Sequence, residues 1–296
     1  MTESVHASAP RVGIVVINYN SWEHTDACLR SLAALDYPHA EVVLVDNGST
    51  NDSVRQLKAR FPDQPIMRIP SNVGFTAANN VGTREALRRG AEYVWFLNND
   101  TTVDPTVLSE LVKVAQEHPH LGAVGSVLYD MHGPERVQGW GGGWVNLWRG
   151  QAELYLSPVP WSQLDFLCGT SLLVRRRAME EVGLLDERYF MYWEDADFSF
   201  RLRHAGWGLG VAQAARTWHL GAASTGLSTL THKSLDWELN FTKSAVWFFR
   251  RHAPVPLIPL LAGPGLYLIK RVLRGQWTRA AAVARGGWLA FRPTAS

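Results

Sequence analysis

Residues Val12-Gly13-Ile14-Val15-Val16-Ile17 form an unbroken apolar, largely β-branched run that stops on Asn18-Tyr19-Asn20-Ser21. A strand with no polar residue on either face must be covered on both faces, the condition of an interior strand in a parallel sheet. The residues that follow supply the cover. Apolar positions recur at helical spacing over 24–35, with Ser21 a candidate cap. Residues 41–45 read as a second strand, 52–60 as a helix and Ile66–Ile69 as a short strand. Ser71-Asn72-Val73-Gly74 opens a helix over 75–89 that Gly90 closes. Tyr93-Val94-Trp95-Phe96-Leu97 then runs as a strand into Asn98-Asn99-Asp100. Strands alternating with helices predict a right-handed, mostly parallel α/β sheet with helices on both faces. The chain has 296 residues, 46% hydrophobic and 19% charged, enough for one large α/β domain and an appendage. We expect a flexible leader over 1–10 without signal-peptide features, the α/β domain over 11–235 and a separate carboxyl-terminal segment over 236–296. Cys28 and Cys168 are too few for a disulfide framework, so a reducing compartment is expected.

Each strand exit carries polar residues, and open α/β sheets bind ligands at that edge. Asp46-Asn47-Gly48-Ser49 is either a plain turn or a place where Asp46 accepts the imide hydrogen of a pyrimidine base. Asn72-Val73-Gly74 either caps its helix or offers backbone N–H groups to phosphate. Asp100 ends a buried strand and is a candidate metal ligand. A second acidic cluster, Glu194-Asp195-Ala196-Asp197, lies about a hundred residues on, where acids either favour the start of a helix ending at Gly206 or serve a proton transfer. No Gly-x-Gly-x-x-Gly follows the first strand and no Gly-Lys-Ser or Gly-Lys-Thr loop occurs, which disfavours dinucleotide and phosphate-loop ATP binding. No nucleic-acid partner is expected.

These blocks occur in order: Val15-Val16-Ile17-Asn18-Tyr19-Asn20, Val45-Asp46-Asn47-Gly48-Ser49-Thr50, Asn72-Val73-Gly74-Phe75 through Asn79, and Leu97-Asn98-Asn99-Asp100. Cys168-Gly169-Thr170, Val182-Gly183-Leu184-Leu185-Asp186-Glu187-Arg188-Tyr189-Phe190, Tyr192-Trp193-Glu194-Asp195-Ala196-Asp197, Arg201, Gly206-Trp207 and His219 follow. Over about 11–225 the set resembles glycosyltransferase family 2, the inverting GT-A enzymes, and within it bacterial rhamnosyltransferases. The resemblance implies a GT-A fold and transfer of a sugar, L-rhamnose from dTDP-rhamnose or a hexose from a UDP-sugar, to a saccharide or lipid-linked saccharide. It implies a divalent metal, Mg²⁺ or Mn²⁺, held by Asp100 with His219. Asn98 stands where the family's Asp-x-Asp motif has its first acid. Asp46, with Asn18 and Asn20, falls along the nucleotide; Asn72, Gly74, Asn79, Asn98 and Asn99 share the donor side. Asp195 matches the catalytic base, with Glu194 beside it facing the acceptor. On this reading the side chains at 100 and 195 flank one cleft. The alternative is a non-catalytic sugar or nucleotide binder on the same scaffold.

Two stretches lie outside those blocks. Gly139-Trp140-Gly141-Gly142-Gly143-Trp144 reads as a mobile loop whose rings, Trp140 and Trp144, either stack on acceptor sugars as a lid, or fill a core or meet the membrane. Residues 236–296 hold nine Lys or Arg against two acids, a net +7 that leaves the remainder at −5. Residues 253–269 are apolar but carry four prolines, which disfavours a spanning helix. Aromatics beside cations, Trp247-Phe248-Phe249-Arg250-Arg251 and Lys270-Arg271 with Trp277, suit a segment lying on an anionic membrane surface. The alternative is a helical cap on the body. We expect the protein at the inner face of the cytoplasmic membrane; separately, Gly221 and Ser224 after His219 suggest a loop that could close over the diphosphate.

Overall fold

β1 (Val12–Asn18) is buried at every position. Its alternate side chains enter two cores: Val12, Ile14 and Val16 meet Cys28, Leu29 and Leu32, while Val15 and Ile17 meet Ala78 and Ala86. The first set belongs to α1 (Trp22–Leu32) and the second to α3 (Phe75–Arg88), so helices cover both faces as the apolar run requires. This computed structural model describes residues 9–221 and 234–292. Most of the leader, and Ser224 with its loop, lie outside the described residues.

The remaining elements are β2 (Ala40–Asn47), α2 (Ser53–Arg60), β3 (Ile66–Ile69), β4 (Tyr93–Asn98), β5 (Thr101–Val103), α4 (Val107–Glu117), β6 (Leu121–Asp130), β7 (Gly133–Gly139), β8 (Gly142–Asn146), β9 (Gln151–Leu154), β10 (Phe166–Leu167), β11 (Ser171–Arg175), α5 (Arg176–Val182), α6 (Glu194–His204) and β12 (Gly208–His219). The helices α7 (Leu235–His252), α8 (Leu257–Leu260), α9 (Leu266–Leu273) and α10 (Trp277–Leu289) complete the chain. The large sheet runs β3-β2-β1-β4-β11-β6-β12-β5, with β7 on β6. From β3 to β4 it is parallel. Beyond β4 it is mixed, because β11 enters antiparallel between β4 and β6. A three-stranded sheet, β10-β8-β9, stands apart.

The glycine-tryptophan stretch is a packed two-residue bend, Trp140-Gly141, between two strands, rather than the open loop expected. It spans the end of β7 and the start of β8, and its glycines are buried. A side chain at Gly142 or Gly143 would run into the carbonyl of Phe166 or Glu153, so these glycines permit close strand approach.

The carboxyl-terminal segment divides in two. α7 is part of the body: Phe248 and Phe249 are fully buried against Tyr189, Trp193 and Phe200. The aromatics read from sequence as membrane-facing at 248 and 249 are therefore core. Arg271 is buried at 1% exposure and reaches Glu238 of α7 at 2.6 Å, with Arg279 on the same carboxylate at 3.0 Å, which ties α9 and α10 to α7. Outward, Leu257, Leu261, Leu266, Ile269, Leu273, Trp277, Trp288 and Phe291 are exposed. Among the described residues no helix is long and apolar enough to cross a membrane.

Candidate active site

The carboxyl ends of β1, β2 and β4 bring the polar strand exits to one edge. Asn18 and Asp46 are adjacent in register and completely buried. Asn18 Nδ2 donates to Asp46 Oδ1 at 2.8 Å and to Ser49 Oγ at 3.1 Å, while Asn18 Oδ1 accepts from Thr25 Oγ1 at 2.9 Å. The other Asp46 oxygen accepts from Ser49 N at 3.2 Å. Asn20 is exposed, with φ of 53°, and its side-chain oxygen accepts from the backbone N–H groups of Thr50 and Asn51 at 2.8 and 3.2 Å. The sequence-predicted nucleotide residues thus form a paired frame that shapes the exposed 49–51 turn.

The start of α3 is closed in the same way. Asn47, missed in the sequence reading, accepts from Val73 N at 3.1 Å and donates to Asn72 Oδ1 at 3.1 Å. Asn72 Oδ1 also accepts from Gly74 N at 2.9 Å, and Phe75 N donates to the Phe190 carbonyl at 2.7 Å. The N–H groups of 73, 74 and 75 are therefore satisfied within the protein, which favours the capping alternative over a phosphate cradle. Gly74 has φ of 94° and lies against Phe190, leaving no room for a side chain. Asn79 is buried, donating to the Phe75 carbonyl at 2.9 Å.

Beyond β4 the polar groups are arranged differently. Asn98 N donates to Thr170 O at 3.0 Å, yet Asn98 Oδ1 is buried without a partner. Asn99 Nδ2 donates to Thr25 Oγ1 at 2.9 Å, linking this edge to the frame. The Asp100 carboxylate, 28% exposed, lies 3.4 Å from His219 Nε2, and His219 is fully buried at the end of β12. His219 Nε2 itself has no hydrogen-bond partner. Among the described residues no group of three or more His, Cys, Asp or Glu converges as a complete metal cage.

Asp195 reaches the same strip of sheet edge. Its Oδ2 accepts from Gly169 N at 3.0 Å, one residue before the Thr170 carbonyl that pairs with Asn98. Oδ1 accepts from Ala196 N at 2.8 Å. Burial raises the Asp195 pKa against those backbone donors. Glu194, with Oε2 buried and unpartnered, is raised by burial and by the charge of Asp195. Asp197 does not cap α6. It is buried and ion-paired to Arg201 at 2.8 Å, His252 at 2.8 Å and Arg251 at 3.3 Å. Burial would raise its pKa, but His252 and Arg201 hold it low. Tyr192 and Trp193 both adopt positive φ, 71° and 65°, immediately before Glu194. α7 supports that strained turn, with Ser244 Oγ donating to the Met191 carbonyl at 2.9 Å.

Trp140 packs on the second core cluster and Trp144 is half-buried opposite Glu153 in β8. A hollow of about 170 Å³, lined by Arg11, Gly13, His39, Glu41 and Arg89, lies at the opposite, amino-terminal edge of the sheet. It holds none of these groups, and the chemistry follows the unpaired polar atoms instead.

Residues 13–183 match the family described as Glycosyl transferase family 2. The chain belongs to that family. It is 30% identical over 247 residues to N-acetylglucosaminyl-diphospho-decaprenol L-rhamnosyltransferase of Mycobacterium tuberculosis, covering 74% of this chain and 79% of the relative. It is 26% identical over 216 residues to the low-salt glycan biosynthesis hexosyltransferase Agl10 of Haloferax volcanii, covering 70% and 66%. Its backbone resembles the mannosyltransferase PcManGT from Pyrobaculum calidifontis, solved with GDP-Man and Mn²⁺, with a TM-score of 0.60 at 21% identity, covering 97% of this chain and 82% of that one. GalNAc-T7, solved with UDP, GalNAc and Mn²⁺, gives 0.64 at 14% identity over 82% of this chain and 48% of that one. The fold is GT-A and the protein is a rhamnosyltransferase-like glycosyltransferase, so the reading as a non-catalytic binder falls away.

Proposed function

We propose that this glycosyltransferase moves L-rhamnose from a dTDP-linked donor to a saccharide carried on a lipid diphosphate, with inversion at the anomeric carbon. The sugar and the acceptor class are supported by the 30% identical relative, an L-rhamnosyltransferase named for N-acetylglucosaminyl-diphospho-decaprenol, and the dTDP carrier by the family resemblance in the sequence. The observation that carries the mechanism is the Asp195 carboxylate, held by Gly169 N on the strip that also bears Asn98 and Asp100. An acceptor hydroxyl oxygen forms the new bond to the anomeric carbon as the bond to the donor diphosphate breaks. Asp195 takes the hydroxyl proton, a task its raised pKa suits. The charge that develops leaves with the nucleoside diphosphate.

Asp100 and His219 fit a divalent cation. A partly exposed carboxylate and an unpartnered, buried imidazole nitrogen face one another, and the buried Asn98 Oδ1 is orphaned nearby. That set is short of a full protein cage, so Asp100 and His219 would hold Mg²⁺ or Mn²⁺ only in part. When bound, the cation supplies Lewis-acid neutralisation of the leaving group. Asn20 with the 49–51 turn takes the nucleotide edge, on the frame of Asn18 and Asp46.

The exposed apolar residues of α8–α10, with Lys270, Arg274, Arg285 and Arg292 exposed among them, serve as a peripheral contact with an anionic bilayer. Such a contact supports a location at the inner membrane face, where a lipid-linked acceptor would be met. The test of the donor is a panel of dTDP-, UDP- and GDP-sugars with Mg²⁺ or Mn²⁺, scored by transfer to a lipid-diphosphate-linked sugar. dTDP-rhamnose should give the highest kcat/KM. A UDP- or GDP-hexose ahead of it by tenfold would replace the donor assignment.

A further inference from the structure

Gln138 grips His219 with both ends of its amide. It lies near the end of β7 and is 9% exposed. Its Nε2 donates to the His219 main-chain carbonyl at 3.0 Å, and its Oε1 lies 3.1 Å from His219 Nδ1. A carbonyl oxygen only accepts, so it decides which end of the amide is nitrogen. The amide oxygen therefore faces Nδ1, and an acceptor at that place requires Nδ1 to carry the hydrogen. A neutral imidazole has one N–H, so Nε2 keeps a bare lone pair. That lone pair is buried, has no hydrogen-bond partner, and lies 3.4 Å from a carboxylate oxygen of Asp100. Two acceptors facing each other in a buried place repel unless a cation lies against both.

We propose that Gln138 is a positioning residue that holds His219 in its Nδ1–H form, so that Nε2 and the Asp100 carboxylate are presented together to a divalent cation. The inference rests on the reading of Asp100 and His219 as cation ligands. It adds a residue from a strand that no sequence block marks, 81 positions away from the histidine it orients. Partners that fix a ligating imidazole in this way govern both ring orientation and basicity.

The experiment uses the full-length protein labelled with ¹⁵N-histidine, at pH 8 without metal. Long-range proton–nitrogen correlation reads the His219 tautomer, its signals assigned by their loss in His219→Ala. Calorimetry with Mn²⁺ and dTDP reads the affinity of the site. Wild type should show hydrogen on Nδ1 and a pyridine-like Nε2. Gln138→Leu should shift hydrogen toward Nε2 and weaken Mn²⁺ ten- to a hundred-fold. Gln138→Glu, whose carboxylate still accepts from Nδ1, should keep the tautomer and most of the affinity. Hydrogen on Nε2 in wild type, or a Gln138→Leu protein with unchanged tautomer and unchanged Mn²⁺ affinity, would overturn the proposal. If Gln138→Leu does not fold, the wild-type tautomer and the Glu variant decide it. An Nδ1–H ring combined with Mn²⁺ binding that Asp100→Ala leaves intact would instead overturn the cation-ligand reading, with the tautomer lock standing.

Discussion

The two halves of the polar sheet edge differ in how they treat their polar atoms. Upstream, around β1 and β2, the amides and carboxylate of Asn18, Asp46, Asn47 and Asn72 are bonded to one another or to backbone, and the atoms left without a partner are two hydroxyls, Ser53 Oγ and Thr76 Oγ1. Downstream, Asn98 Oδ1, Glu194 Oε2 and His219 Nε2 are buried with no partner. Buried polar atoms are nearly always satisfied, so three orphans on one strip need a cause. A paired network fixes the shape of a backbone; an unpaired one stands ready for a ligand or a proton. On the proposed function the upstream half is the frame and the downstream half the reacting side, although both carry the same residue types in sequence.

The sharpest way to break this comparison is at Asp195. Asp195→Asn keeps the shape and can still accept from Gly169 N, but it has no carboxylate to take a proton. We expect kcat to fall by about 10³-fold, within the range for loss of a general base, with donor affinity unchanged by calorimetry. Near-normal turnover in that variant would remove the mechanism. Asp100→Ala should come next. It should weaken metal-dependent donor binding by roughly ten- to a hundred-fold, while binding measured in chelator stays as in wild type. An equal loss with and without metal would mean that Asp100 belongs to the frame.

The frame makes the opposite prediction. Asn18→Ala leaves Asp46 Oδ1 and Thr25 without their buried partner. It should cost about 1–3 kcal/mol of stability, seen as a lower denaturation midpoint, with the donor KM moving less than threefold. A large KM effect at full stability would place Asn18 on the ligand and blur the division between the halves.

The order of strands and helices was legible because burial on two faces and helical spacing leave their mark on short windows. Strand 66–69 coincides with its reading, and the first long helix differs by a few residues at each end. The polar exits were legible for the same reason, since each follows an apolar run. Which exits are paired was not. Asn18 meets Asp46 across 28 positions, Asn80 meets Leu185 across 105 and Gln138 meets His219 across 81. No local pattern encodes such distances. Gly142 and Gly143 misled because flexibility and close packing select the same residue, and only the facing carbonyls of Phe166 and Glu153 tell the two apart. Phe248 and Phe249 misled because an aromatic beside arginine suits a lipid interface and a helix docked on a core alike.

Glu194 sharpens the comparison through pH. Its carboxyl is raised by burial and by Asp195, and Asp195 is raised by burial. A raised acid costs nothing below its unfolded pKa, near 4.3, and destabilises the fold increasingly as pH climbs toward the folded value. Glu194→Gln removes that cost, so its stability relative to wild type should grow between pH 5 and pH 8. The gap should close again at pH 4, where both side chains are neutral. In wild type the acid limb of kcat/KM should lie above the ordinary aspartate range, because Asp195 must be ionised to act. A stability difference independent of pH would mean that Glu194 is not held neutral.

The smallest effect is expected farthest from the edge, where frame and reacting side share one attachment. α7 is bonded to the turn before Glu194 and is also tied to α9 and α10 through Glu238 and Arg271. Leu273 and Trp277 are 81% and 68% exposed at the end of α9 and the start of α10, beside Arg274. Each fully buried apolar side chain of that size contributes roughly 1.5–3 kcal/mol, and each nearby cation about 1 kcal/mol at an anionic surface. Partial insertion recovers only a fraction of the first figure. Leu273→Glu with Trp277→Glu should therefore lower partition onto phosphatidylglycerol vesicles by about tenfold or more, in a salt-dependent way, and leave transfer to a short water-soluble acceptor as it was. Because neither side chain contributes to a buried core, a loss of soluble activity would mean that α9 and α10 act on the catalytic turn through α7. Unchanged vesicle binding would return the face to solvent.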